Sequence, residues 1–172
     1  MSEQQKITPC LWYDTNSEEA IEYYIAAFNS SPHKRRESRL ISLSRYEKGM
    51  EVPGGDQMEG KVITAIFELD GQRFMALDGG PLFTLTEAVS FEIECEDQIE
   101  VDHFWKLLSA APEAEQCGWV KDKFGLSWQI VPRQLGELLG NPDKKKSLAV
   151  MNAMLQMKRL VVADLQKAFD EA

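Results

Sequence analysis

Histidine is scarce in this chain. Only His33 and His103 occur in 172 residues, so chemistry that needs several imidazoles has little to draw on. Cysteine is sparse and odd in number. Cys10, Cys95 and Cys117 lie far apart in the sequence, a pattern that points to free thiols in a reducing cytoplasm rather than to a disulfide. Long apolar runs are missing, so no segment approaches the length a membrane helix needs. The opening residues Met1 to Lys6 are polar and carry no apolar targeting core. Basic stripes are missing too. With a net charge of -9, and basic runs only at 33–36 and 144–146, the chain offers no phosphate-binding track. Nucleic acid and membrane are therefore excluded as expected partners, and both basic runs read as solvated element ends.

What remains is an ordinary globular composition, 44% hydrophobic and 27% charged, of a size for one domain or two small modules. Residues 7–14 are β-rich. Asn16 or Ser17 then caps a helix whose first turn carries Glu18 and Glu19. In that helix Ala20, Ile21, Tyr24, Ile25 and Phe28 recur at helical spacing, and Asn29-Ser-Ser-Pro32 stops it. A strand is expected from Arg39 to Tyr46, and 47–60 reads as a loop because it holds Pro53, Gly54, Gly55 and Gly60. Strands at 62–69 and 73–77 flank Asp70-Gly71, a strong two-residue hairpin signal.

The order then repeats. Residues 88–95 form a strand, Glu96 and Asp97 cap a helix with Ile99, Val101, Phe104, Trp105 and Leu108 on its apolar positions, and a hairpin follows. Each copy has a strand-end acid, capping acids and a helix with paired aromatics, Tyr23-Tyr24 in one and Phe104-Trp105 in the other. This describes a degenerate tandem β-α-β-β-(β) unit, shorter in its second copy. The stretch Cys117 to Pro132 reads as strand, turn at 122–125, and strand. In the second strand Leu126, Trp128 and Ile130 point one way and Ser127, Gln129 and Val131 the other. An amide at Gln129 must then find a partner in the protein or in a ligand. From Gln134 to Ala172 the chain is expected to be helical, with a new start at Pro142 and an apolar face that includes Leu148, Met151, Met154, Leu155, Leu160 and Leu165. About half of that face lacks an obvious partner, which suggests packing on the sheet or on another subunit.

The segments Pro9 to Asp14, Phe67 to Pro81, Ser90-Phe91 with Cys95 to Gln98, and Cys117 to Pro132 together resemble the PhnB-like branch of the vicinal oxygen chelate superfamily. Some members of that branch carry the label 3-demethylubiquinone-9 3-methyltransferase. The resemblance implies an α+β fold of tandem βαβββ modules forming a cupped mixed sheet, with a C-terminal helical extension. The whole chain, 1–172, would be one such domain: 7–81 the first module, 87–132 the second and shortened one, 134–172 the extension. It also implies a homodimer. The methyltransferase label has no support in the residues, because the glycines sit in hairpin turns and in the Pro53 loop rather than in a strand-to-helix turn that could hold a nucleoside cofactor.

Metal-dependent members of the superfamily place one ligand on each of four strands. Carried over by strand position, these fall near Thr8, Pro9 or Cys10, near Leu77 or Asp78, at Ser90 and at Gln129. Only Asp78 is a good ligand for a hard cation, while Cys10 would suit a softer one. The expectation is therefore no metal and no cofactor. A small organic molecule would sit in the cup near Trp12, Asp78, Ser90, Trp119 and Gln129. The alternative is a metal-assisted lyase or isomerase of the glyoxalase type that uses Asp78 and Gln129. A third possibility is a cup filled by its own side chains, since Trp12, Trp119 and Trp128 could each be core. Glu92, Glu94, Glu96 and Asp97 read as a solvent face plus helix caps, and His103 as a helix surface residue.

Overall fold

The computed structural model describes residues 5–51 and 58–172. Pro53, Gly54 and Gly55, on which the loop expectation for 47–60 rests, lie outside the described residues. The chain divides between Leu85 and Thr86 into two compact units.

The first unit runs β1 (Cys10–Tyr13), α1 (Ser17–Asn29), β2 (Arg39–Arg45), β3 (Val62–Leu69) and β4 (Gln72–Asp78). Its sheet has the order β1-β4-β3-β2, with β1 parallel to β4 and the other pairs antiparallel. The alternation of β3 and β4 sets its two faces. Ala65, Phe67, Phe74 and Ala76 are buried, as are Leu11 and Tyr13 of β1, and they meet Ala20, Ile21, Tyr24 and Ala27 of α1. Phe67 stacks on Phe74 with centroids 5.5 Å apart, and the hydroxyls of Tyr13 and Tyr24 lie 3.3 Å apart. Cys10, Trp12, Ile66, Met75 and Leu77 lie on the opposite face. The Asp70-Gly71 turn has φ of 47° and 93°, the left-handed pair a two-residue hairpin requires. Asp70 also accepts hydrogen bonds from the backbone N–H groups of Arg35 and Arg36, which fixes the segment leading into β2. β2 is an edge strand with two register shifts, an irregularity that hinders edge-to-edge pairing.

The second unit runs β5 (Ser90–Cys95), α2 (Gln98–Leu108), a 3-10 turn at Pro112–Ala114, β6 (Trp119–Lys121) and β7 (Ser127–Pro132). Its sheet order is β5-β7-β6, β5 parallel and β6 antiparallel to β7. Asp97 caps α2 by accepting from Glu100 N–H, and the Glu100 carboxylate accepts in return from Glu96 N–H, a reciprocal arrangement close to a capping box. Ile93, Val120, Trp128 and Ile130 are buried on the side of Val101, Phe104 and Leu108. The sequence-based strand at 117–121 begins later than expected, because Cys117 and Gly118 are themselves a turn with φ of 50° and 87°. The tail is three helices: α3 (Arg133–Leu139), α4 (Lys144–Leu155) and α5 (Val162–Asp170). Asp143 is the N-cap of α4, accepting from Lys145 N–H and Lys146 N–H. Leu135, Leu138, Val150, Leu160 and Leu165 form their core, with Val131 of β7 packed against it. The tail is tied to the sheet through backbone N–H groups of Cys117 and Gly118, which donate to Met157 and Lys158 carbonyls at 2.8 Å each.

Candidate functional site

Asp78 ends β4 on the α1 side of its sheet, in register with buried Tyr13. Asn16 makes no side-chain cap bond to α1. Asp78 does that work from across the fold: its Oδ1 accepts from Ser17 N–H at 2.9 Å and its Oδ2 from Val62 N–H at 3.3 Å. The carboxylate is 1% exposed. The negative charge faces the positive end of α1, so burial is offset by hydrogen bonds and by the helix dipole. Beside it a pocket of about 290 Å³ is lined by Thr15, Glu18, Arg45, Lys61 and Val62 among others. Its charges are partly used up within the fold, since Arg45 pairs with Glu18 at 2.5 Å and donates to Gly60 carbonyl at 2.9 Å.

Trp12 lies on the other face of the same sheet, in register with Leu77. Its Nε1–H donates to the carbonyl of Gly80 at 2.9 Å, and Phe83 meets its ring edge-on with centroids 5.0 Å apart. A Cβ at Gly79 would overlap the indole ring, so this glycine is needed for the close approach rather than for a special backbone angle. Trp12 and Asp78 are thus adjacent in strand position and separated by the thickness of the sheet.

In the second unit three of the expected residues come together. Gln129 pairs in register with Glu92 on one side and with Trp119 on the other, so these three side chains share the face opposite α2. One row away, Ser127 pairs with Ser90 and Lys121 on that same face. Gln129 Nε2 donates to Ser90 Oγ at 2.9 Å, which leaves the amide oxygen as an acceptor. Ser127 Oγ is buried and has no hydrogen-bond partner among the described residues. Lys121 pairs with Glu87. Trp128 points the other way into the core, where its Nε1–H donates to Asp122 Oδ2 at 2.8 Å. Asp122 Oδ1 also accepts from Phe124 N–H and Leu126 N–H, so one buried carboxylate sets both the hairpin turn and the orientation of β7. The strand alternation had already put Ser127 on the side of Gln129, whereas Glu92 was read only as part of a solvent face. Aligning the alternation of 90–95 with that of 127–132 in parallel register would have placed Glu92 there.

The four positions carried over as ligand positions have a poor donor set for a divalent ion. Partial burial raises the Cys10 thiol above its usual pKa, which disfavours the thiolate. Asp78 is occupied by two backbone N–H groups, and the Ser90 hydroxyl already accepts from Gln129. Among the described residues no group of three or more His, Cys, Asp or Glu side chains is placed to hold a metal ion.

Two units of mixed sheet and helix with these registers define a glyoxalase-like α+β fold, and solved structures share it. A PhnB protein from Bacillus cereus is 33% identical, with a TM-score of 0.59 over 74% of this chain and 99% of that one. Protein PA1353 from Pseudomonas aeruginosa shares the fold at 17% identity, with a TM-score of 0.56 over 75% of this chain and 98% of that one. The family model described as 3-demethylubiquinone-9 3-methyltransferase matches residues 5–131. The chain belongs to this PhnB-like family. No curated protein matches it. The match ends at residue 131, one residue short of the end of β7, so α3 to α5 lie beyond it.

Proposed function

We propose that this chain is a binding protein of the vicinal oxygen chelate superfamily that holds a small organic molecule against its sheet without a catalytic metal. The observation that carries the reading is the shared face of Ser90, Trp119 and Gln129, where an amide oriented by a serine stands beside an indole. A half-buried aromatic surface with a few oriented polar groups is what small-molecule sites are built from. Trp12 offers a second indole on the corresponding face of the first unit, while Asp78, on the other side of that sheet, acts as a positioning group for α1. The transferase named in the family's description is not part of this reading. Neither the β1–α1 turn nor the β5–α2 turn contains a glycine, whereas a nucleoside cofactor is usually held by a glycine-rich strand-to-helix turn. The protein is further proposed to act in the cytoplasm as a homodimer, consistent with its three free thiols.

The test has two arms. Thermal unfolding is followed with Mn²⁺, Ni²⁺, Zn²⁺ and chelator alongside metal analysis of the purified protein, and a small-molecule library is screened by tryptophan fluorescence. Ligands whose binding is lost in Trp119→Ala, with no metal dependence, support the reading. A stoichiometric ion, or a Tm that rises to saturation with one ion, overturns it in favour of the metal-assisted lyase or isomerase. Sedimentation equilibrium decides the dimer.

A further inference from the structure

The row Glu92–Gln129–Trp119 has a charge as well as a shape. Glu92 is exposed, and its carboxylate has no hydrogen-bond or ion-pair partner among the described residues. The cation of the neighbouring row, Lys121, is engaged by Glu87. Gln129 spends one of its two amide donors on Ser90, and its amide oxygen stays open to accept from a ligand. Trp119 is half-buried and adds an aromatic ring. Ser127 Oγ, buried on the same face, lacks a partner. Carboxylate, amide oxygen and indole therefore stand side by side across three strands, a span of about 10 Å at the usual strand spacing. All three attract a donor-rich cation: the carboxylate by charge, the amide oxygen by hydrogen bonding, the indole by its ring quadrupole. The net charge of -9 draws cations toward the protein and repels anions.

Resting on the binding face proposed above, we infer that its ligand is an organic cation, an ammonium or amidinium carried on a small flat or apolar body. The cationic group sits between Glu92 and the Trp119 ring, and the body lies along Gln129.

Three isosteric probes separate charge from shape: benzamidinium, neutral benzamide and anionic benzoate. Each is titrated into the full chain while the Trp119 indole N–H and the Gln129 side-chain NH₂ are followed by heteronuclear NMR. Benzamidinium is expected to shift both signals to saturation and to bind about tenfold more tightly than benzamide, as one charge-assisted contact supplies. Benzoate should leave both signals in place. Glu92→Gln, an exposed change that should leave the unfolding midpoint unaltered, should cut the preference for benzamidinium over benzamide to the remnant that the Trp119 ring and the amide oxygen supply, and added salt should weaken that preference in part. Equal affinity of the two probes for the unaltered protein would overturn the cation inference and leave the binding face standing. Failure of all three probes to move either signal at millimolar concentration would overturn both.

Discussion

Asp78 shows how much one side chain's direction decides. By strand position it is the best hard-cation ligand in the chain, yet it faces α1 and caps that helix through Ser17 N–H. Asp78→Ala should cost about 3 kcal/mol in chemical denaturation, because two buried N–H groups lose their acceptor. Ligand binding at Trp119 should survive at temperatures where the variant is folded. The cysteines divide by burial. Cys10 is exposed and Cys117 partly so, whereas Cys95 is buried and its thiol is pushed far above the usual range by desolvation and by Glu100. A disulfide reagent such as Ellman's should therefore modify Cys10 and Cys117 in the native protein, and Cys95 only after denaturant is added.

The Cys117-Gly118 turn is the element that couples the tail to the sheet. Gly118 has φ of 87°, and a Cβ there would press on the Ile130 carbonyl and on Leu160. Gly118→Ala should destabilise by about 1–2 kcal/mol from the backbone angle alone. It should also raise hydrogen exchange at 157–162 before it does so at β7. Within the tail, burial rather than hydrophobicity predicts the outcome. Leu160→Ala should cost about 2–5 kcal/mol, since Leu160 is fully buried in the tail core. Leu148→Lys should stay within about 0.5 kcal/mol in the monomer, because Leu148 is 60% exposed.

At the scale of the molecule, surface hydrogen bonds and ion pairs of carboxylates contribute to the acid limb of stability. Glu18 is held below its ordinary value of 4.5 by the Arg45 hydrogen bond, Glu87 by that of Lys121, and Glu115 by Ser109 and then Lys158. A lowered carboxyl pKa stabilises the fold above the unfolded-state value, and that contribution is lost as pH falls through the folded one. The urea midpoint should therefore be flat near neutrality and decline below about pH 4.5. The decline should be shallower in Arg45→Met, and small in size because these pairs are exposed.

The order of elements, the Asp70-Gly71 hairpin, the α2 cap at Asp97 and the in-out alternation of β7 were legible in the sequence, because each rests on local chemistry: turn residues, caps and side-chain period. The same alternation placed Gln129 opposite Trp128 before any partner strand was known. Tertiary structure alone decided what each face meets. Whether Asp78 served a ligand or a helix depended on the packing of α1 against β3 and β4. The grouping of Glu92 and Trp119 around Gln129 depended on strand register, which sequence-distant partners set. The tail's apolar residues could be counted in advance. Val150 went inward and Leu148 outward because α4 had to present one narrow face to α3 and α5.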